Sequence, residues 1–270
     1  MHQLRLFICL SAFIASAPAY AARCGGDFNT FVQSISAEAA SAGISQATLA
    51  QALGGVQQDM GVLAFDRSQR GTFTKTFEQY VSTRVGSGRI NGGRAMLQRY
   101  APLLSSIEAK YGAPRQILVA IWRLESDFGK GDMGKLPVFR VLATMSHDCR
   151  RTELFQGELL AALQILQRGD LPLREMIGAY AGEIGQTQFL PSSYIKYGVD
   201  FDGDGRVDLR HSVADVLAST ANLLLTNGFG FKMGAPYGEG SANFEAMREW
   251  NHAVIYRKTI AYFADQLGGR

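Results

Sequence analysis

One glutamate in this sequence of 270 residues lies on the apolar side of a predicted helix. Helical periodicity runs from Pro114 to Phe128, and Glu125 follows Ile121 by four positions and Trp122 by three, so it shares their face. Burial among apolar side chains raises the pKa of a carboxyl group. A carboxyl that keeps its proton near neutral pH can act as a general acid. The alternative is a structural carboxylate paired with an arginine from elsewhere.

A second group of acidic residues has the spacing of the first half of an EF-hand loop. The oxygen donors are Asp200, Asp202, Asp204 and the main-chain carbonyl of Arg206. Three carboxylates so close repel each other unless a cation or several donors neutralise them. Position twelve holds His211 instead of a bidentate glutamate, so we expect a structural Ca²⁺ of moderate or weak affinity. The alternative is a solvated aspartate turn.

The N-terminus has the features of a secretory leader. Arg5 supplies the positive start, residues 6–15 form an apolar stretch too short to span a bilayer, and Ala19-Tyr20-Ala21 is an A-x-A cleavage site. We therefore expect residues 1–21 to be removed and residues 22–270 to form one domain outside the cytoplasm. A lipid anchor is not expected, because Arg23 occupies the position where lipidation requires a small residue.

Two cysteines, Cys24 and Cys149, remain after the expected cleavage. An oxidising compartment favours one disulfide between them, and two separate thiols are the alternative. The net charge of +3 is small and no basic run is present, so a nucleic-acid partner is not expected. No stretch after the leader is long and apolar enough to span a membrane. No heptad pattern indicates a coiled coil, and we expect a monomer.

The elements that must position these residues are mainly helical. Hydrophobic residues make up 47% of the chain and charged residues 19%, which excludes a largely disordered protein. Three irregular stretches, 182–191, 200–215 and 228–240, provide loops that can line a groove. Periodicity and capping signals predict helices starting at Phe28 and Ser45 and over 73–85, 90–111, 114–128, 138–147, 150–167, 212–226 and 244–263, the last with a break near Asn251.

Several motifs, taken in their order along the chain, resemble those of the lytic murein transglycosylase B family of the goose-lysozyme-like group. Glu125-Ser126-x-Phe128-Gly129 resembles the catalytic E-[ST]-x-aromatic-G signature of such enzymes. The other matching blocks are Phe65-Asp66-Arg67, Phe73-Thr74-Lys75-Thr76-Phe77, Cys149-Arg150-Arg151-Thr152-x-x-Phe155, Ala181 to Tyr194, and Trp250-Asn251. The resemblance implies a mainly α, lysozyme-like catalytic domain with a peptidoglycan-binding groove and small irregular or β elements.

The same resemblance implies a lytic transglycosylase of the periplasm. Such an enzyme cleaves the β-1,4 bond between N-acetylmuramic acid (NAM) and N-acetylglucosamine (NAG) without water and leaves a 1,6-anhydro end. Glu125 would act first as acid and then as base, with no cofactor required for catalysis. The family also has a longer EF-hand-like loop, in which Asp215 would supply the closing acid.

The residues expected to bind the glycan are drawn from the matching blocks and the C-terminal aromatics. They are Ser126, Arg150, Arg151, Tyr180, Glu183, Gln188, Phe189, Trp250, Asn251 and Tyr256. Most have a structural alternative as well: Glu183 and Gln188 as loop-organising groups, Asn251 as a cap and the aromatic residues as core. Arg150 and Arg151 could pair with Glu125, bind peptide-stem carboxylates or form a solvated helix start.

Two other functions remain open on the sequence alone. A hydrolytic muramidase would use Glu183 as a second carboxylate beside Glu125. A catalytically silent peptidoglycan-binding protein would keep the groove and lose the chemistry.

Overall fold

The computed structural model describes residues 22–69, 76–226, 230–232 and 234–268. The expected leader, most of the 73–77 block and part of the 228–240 stretch lie outside the described residues. Within them the chain forms helices α1 to α13 and one two-stranded sheet. The prediction of a mainly α, lysozyme-like fold with few β elements is confirmed.

The N-terminal half of the described chain consists of short helices, several of which begin at a capping side chain. Asp27 and Ser45 accept from the main-chain N–H groups of Thr30 and Thr48, as the capping signals predicted. The helix predicted over 90–111 is divided at Tyr100, because Pro102 begins a new helix there. The helices are α1 (Phe28–Ser41), α2 (Gln46–Leu53), α3 (Met60–Ser68), α4 (Phe77–Arg84), α5 (Ser87–Arg99) and α6 (Ala101–Tyr111).

The second half surrounds one central helix. That helix, α7 (Arg115–Ser126), packs against α5, α6, α11 (Val213–Thr226) and α13 (Val254–Gly268), and its residues 117–122 are almost fully buried. The remaining elements are β1 (Leu136–Pro137), α8 (Val138–His147), α9 (Thr152–Arg168), β2 (Ile177–Gly178), α10 (Pro191–Tyr197), α11 (Val213–Thr226), α12 (Ala242–Ala246) and α13 (Val254–Gly268). Short 3₁₀ turns occupy Leu173–Glu175 and Met247–Glu249.

The small sheet stands beside the irregular loops. Strands β1 and β2 pair antiparallel, with Leu136 opposite Gly178. An isolated bridge joins Ile184 to Phe189 within the 182–191 loop. Two helices, α3 and α10, have no counterpart among the predicted elements. None of the described helices combines the length and the apolar character that crossing a bilayer requires.

Candidate active site

Glu125 lies in the last turn of α7 and is held by aromatic residues near the C-terminus. The hydroxyl of Tyr256 donates to its Oε1 at 2.6 Å, and the indole N–H of Trp250 donates to the same oxygen at 3.2 Å. Among the described residues, none donates to Oε2. One carboxyl oxygen is thus fixed, and the other remains available to a ligand.

Burial raises the pKa of Glu125 above its usual value near 4.5. The hydrogen bonds from Tyr256 and Trp250 lower this pKa, since they favour the charged form, but they do not cancel the effect of burial. The nearby negative charge of Glu183 adds to the rise, and Arg84 opposes it. The apolar helix face thus raises the pKa of this carboxyl, which is the direction that the sequence predicted.

An unusual turn stops α7 directly after Glu125. Asp127 and Phe128 both have positive φ (51° and 61°), and Gly129 follows with φ 75°. The turn is held by the N–H of Gly131, which donates to the carbonyl of Ser126 at 2.7 Å. Two adjacent non-glycine residues in the left-handed region are costly, so packing must enforce this turn. It ends the helix before Glu125 can be enclosed by a further turn.

Gln186 joins the end of α7 to the neighbouring loops. Its Oε1 accepts from the indole N–H of Trp122 at 2.7 Å, and its Nε2 donates to the carbonyl of Arg210 at 2.8 Å. Its side chain also fills the space beside Gly129, where a Cβ would lie 2.5 Å from Oε1. Gly185 has φ 82° and approaches the carbonyl of Leu209 as only glycine can.

Glu125 opens into a groove of about 440 Å³. The walls come from the 182–191 loop, α10, α11 and the segment before α13. Its lining residues are Glu125, Glu183, Gln188, Phe189, Leu190, Ser193, Leu223, Glu249, Trp250, Asn251 and His252. A second depression of about 270 Å³ shares Gln188 and continues past Lys135 and Tyr180 along the small sheet. The two depressions share Gln188 and so form one continuous surface that includes Glu125.

Glu183 and Gln188 both line the groove and both organise their own loop. The Oε2 of Glu183 accepts from the N–H of Ala181 at 2.9 Å. The Nε2 of Gln188 donates to the carbonyl of Gly185 at 2.9 Å, and Gln188 itself has φ 53°. Each therefore has the structural role that the sequence left open, in a position that also faces the groove.

The predicted aromatic residues separate into three positions. Tyr180 is 42% exposed, lines the second depression and stacks on Phe65. Phe189 and Trp250 meet edge to face in the wall of the Glu125 groove. Tyr256 is buried and contacts Glu125 through its hydroxyl, so it positions the carboxyl and offers no open face to a sugar.

Asn251, between Trp250 and α13, has a capping role as well as a groove position. Its Oδ1 accepts from the N–H of Ala253 at 2.9 Å, just before α13 begins. The same residue lines the groove beside Trp250. Asn251 therefore organises the chain before α13 and also faces the groove.

Arg150 and Arg151 do not pair with Glu125. Both form ion pairs with Asp66 on α3, and Arg67 beside it pairs with Asp148. This cluster borders its own depression, which shares no lining residue with the groove. The pairing with Glu125 was therefore wrong, because α3 supplies a nearer carboxylate, and the two arginine side chains remain 46% and 42% exposed.

Ser126 was expected to bind substrate, and its position corrects that expectation. The residue is only 2% exposed and is absent from the groove lining. Its hydroxyl accepts from the N–H of Gly129 at 3.0 Å. A small hydroxyl residue in the signature therefore shapes the turn after Glu125 and does not reach a ligand.

Three of the predicted metal ligands in the aspartate loop lie close together, and Asp215 does not join them. The carboxylates of Asp200, Asp202 and Asp204 offer oxygens that lie within 4.8 Å of one another, a spacing suited to a cation. Asp215 is fully buried and faces inward: its oxygens accept from the N–H groups of Phe201 and Asp208, each at 2.8 Å. The side chain of Arg206 pairs with Asp204 at 3.1 Å.

The two cysteines of the expected mature chain form a disulfide. Cys24 and Cys149 are joined with a Cα–Cα distance of 5.0 Å. The bond attaches the segment before α1 to the turn between α8 and α9, directly beside Arg150.

Sequence reasoning missed four contributors to this region. Gln186 bonds Trp122 on α7, Tyr80 interacts electrostatically with Glu125, and Asp66 binds the arginine pair. Glu249 adds a carboxylate to the groove wall. Only Gln186 and Asp66 stood inside matched blocks, and nothing in their spacing indicated a partner.

The chain is similar in sequence to known transglycosylases. The family model described as transglycosylase SLT domain matches residues 27–240. The membrane-bound lytic murein transglycosylase B of Escherichia coli K12 is 37% identical over 153 residues, 56% of this chain. The match spans only 42% of that relative's own length.

Solved structures share the fold over most of the chain. SltB3 of Pseudomonas aeruginosa, solved in complex with NAG-anhNAM-pentapeptide, has a TM-score of 0.84 and 32% identity over 91% of this chain and 80% of its own. The lytic transglycosylase SLT35 of Escherichia coli, solved in complex with calcium, has a TM-score of 0.78 over 92% of this chain and 96% of its own. At 23% identity that second likeness shows the fold alone.

Proposed function

The chain belongs to the transglycosylase SLT domain family, and on that premise we propose that it is a peptidoglycan lytic transglycosylase. The observation that carries the proposal is the carboxyl of Glu125, which lines the groove, has a pKa raised by burial, and is held at Oε1 by Tyr256 with no described donor at Oε2. The similarity to SltB3, solved with a NAG-anhNAM-pentapeptide, supports a glycan with peptide stems as the substrate.

The reaction needs one group that gives a proton and then takes one back. Protonated Glu125 donates to the glycosidic oxygen as the bond between NAM and NAG breaks. The acetamido oxygen of the substrate stabilises the positive anomeric carbon from the other face. Ionised Glu125 then removes the proton from the C6 hydroxyl, whose oxygen closes the 1,6-anhydro ring. No water enters the product, and the carboxyl returns to its starting form.

The surroundings of Glu125 suit both halves of that cycle. Burial favours the neutral acid before the first step, and Tyr256 and Trp250 stabilise the anion that exists between the steps. Trp250, Phe189 and Tyr180 provide apolar surfaces along the two depressions, and Gln188 lies where they meet. Gln188 and Asn251 are the amides best placed to bond sugar hydroxyl or acetamido groups.

Glu183 is the group on which the competing hydrolase mechanism depends. It lines the same groove, and its negative charge reaches Glu125. Its Oε2 is engaged by the N–H of Ala181, which favours a loop-stabilising role. The single-carboxylate mechanism therefore needs Glu183 for structure and not for activating water.

The test is cleavage of purified peptidoglycan by residues 22–270. We expect the Glu183→Gln variant to retain cleavage within about tenfold of the unmodified chain, since one positioned acid–base group contributes about 10² to 10⁴-fold. The Glu125→Gln variant should sediment with insoluble peptidoglycan but release no soluble fragments. If Glu183→Gln loses activity as Glu125→Gln does, the result would support the muramidase. Binding without cleavage by the unmodified chain would support the silent binding protein.

We also propose that the aspartate loop takes Ca²⁺ as a structural ion. The clustered oxygens of Asp200, Asp202 and Asp204 fit a hard cation, and the buried carboxylate of Asp215 fixes the loop around them. The carbonyl of Arg206 is a further donor. Calorimetry should detect Ca²⁺ binding to the unmodified chain and none to Asp202→Ala, and no heat from either would remove the proposal.

The proposed location is the periplasm, to which residues 1–21 direct the chain before they are removed. The Cys24–Cys149 disulfide and a substrate outside the cytoplasm support export. The chain is proposed to act as a monomer on glycan strands.

A further inference from the structure

The segment at the start of the described chain has unusually complete contacts. The N–H of Ala22 donates to Oε2 of Glu38 on α1 at 3.0 Å. Its carbonyl accepts from Nε2 of Gln156 on α9 at 2.6 Å. Ala22 is also buried. Both polar groups of this one residue are therefore held by side chains from two different helices.

The sequence around this residue shows what these contacts are for. The A-x-A motif ends at Ala21, so leader cleavage there makes Ala22 the first residue. Its N–H then becomes an α-ammonium group, which is charged near neutral pH. Glu38 pairs with no cationic side chain among the described residues, so its carboxylate is available for this new charge.

We infer that Glu38 and Gln156 form a binding site for the chain's own new N-terminus. This inference rests on the proposed export of the protein. Charged hydrogen bonds are about twice as strong as neutral ones, so cleavage strengthens a contact that the precursor makes only as an amide. The new ion pair lies where α1 and α9 meet, two residues from the disulfide at Cys24.

Two covalent events then act on the same short segment. Leader removal creates the ammonium of Ala22, and oxidation joins Cys24 to Cys149 beside Arg150. The N–H of Gly25 donates to the carbonyl of His147 at 2.9 Å and completes the attachment to α8. Both events require export, so an enzyme that cuts the cell wall gains these stabilising links only after it leaves the cytoplasm.

The test uses the full precursor, exported through its own leader. One variant carries a single glycine inserted between Ala21 and Ala22, which keeps the cleavage motif and displaces the ammonium by one residue, about 3.8 Å. The second variant is Glu38→Gln, the third combines both changes, and Glu153→Gln is the control because Glu153 is exposed on α9. Intact mass gives the first residue and the disulfide state of each protein, and thermal unfolding gives its Tm.

We expect the unmodified protein to begin at Ala22. The inserted glycine and Glu38→Gln should each lower the Tm by about 2–4 °C, the combined variant should fall no further, and Glu153→Gln should match the unmodified protein. A different first residue, an unchanged Tm with the inserted glycine, or additive losses would each overturn the inference. Cleavage of peptidoglycan is measured separately, so an inactive protein that shows the coupled Tm losses would contradict only the proposed enzyme function.

Discussion

Two buried carboxyl groups, Glu125 and Asp215, have pKa values that burial raises, yet their surroundings differ. Asp215 is fully buried and accepts main-chain N–H groups at both oxygens. Glu125 accepts two side-chain donors at Oε1 alone. A raised pKa by itself therefore does not identify a catalytic acid, whereas an oxygen left open to a groove separates a reactive carboxyl from a structural one.

The largest expected effect comes from replacing the open carboxyl. Glu125→Gln should lower peptidoglycan cleavage by a factor on the order of 10³, because the amide can neither give nor take the proton. The stability of the Glu125→Gln variant, in contrast, should not fall near neutral pH. A raised folded-state pKa means that Glu125 favours folding below its unfolded pKa and loses that contribution as the pH rises through its folded pKa.

Thermal unfolding against pH checks this sign. Near neutral pH and above, Glu125→Gln should be at least as stable as the unmodified protein, and the advantage should shrink as the pH falls toward 4. A variant that is equally destabilised at every pH would show that Glu125 has a structural role like that of Asp215.

Replacement of Asp215 should show the opposite pattern, with a loss of stability and little change in activity. In Asp215→Asn the amide nitrogen faces main-chain N–H donors, so one donor loses its acceptor. We expect a loss of about 2 kcal/mol in the free energy of unfolding, which is about 4–8 °C in Tm. Cleavage per folded molecule, measured well below the Tm, should stay within about twofold. A loss of activity without a loss of Tm would contradict the structural role.

Tyr256→Phe probes how Oε1 is held. Removing the hydroxyl takes away a hydrogen bond that favours ionised Glu125, so the pKa of Glu125 should rise further. The alkaline limb of kcat/KM, where the acid form is lost, should then move to higher pH. Cleavage at neutral pH should fall about tenfold, the value of one hydrogen bond to a charged group. Trp250→Phe, which removes the longer bond, should shift the limb less.

The smallest effect concerns Arg84, whose exposed positive charge lowers the pKa of Glu125. Arg84→Gln should move the alkaline limb slightly upward at low ionic strength. The shift should vanish at about 1 M salt, where charges are screened within about 3 Å. A shift that is insensitive to salt would indicate a direct contact instead of a long-range field.

The sequence was informative where chemistry followed local periodicity. The face of α7 placed Glu125 beside apolar residues, capping signals located α1 and α2, and the family resemblance is confirmed by the family model. The sequence did not reveal the contacts between elements that are distant along the chain. The ion pairs of Arg150 and Arg151 depend on how α3 packs, and the burial of Ser126 depends on a turn with two left-handed residues. Neither is encoded in spacing along the chain.

The most direct test of a single open carboxyl is the mass of the fragments released from peptidoglycan in H₂¹⁸O. If Glu125 alone gives and takes the proton, the fragments should carry 1,6-anhydro ends, be lighter by one water molecule than hydrolysis products, and contain no ¹⁸O. Reducing ends labelled with ¹⁸O, lost in Glu183→Gln, would show that water attacks with the help of a second carboxylate and would contradict the single-carboxyl mechanism.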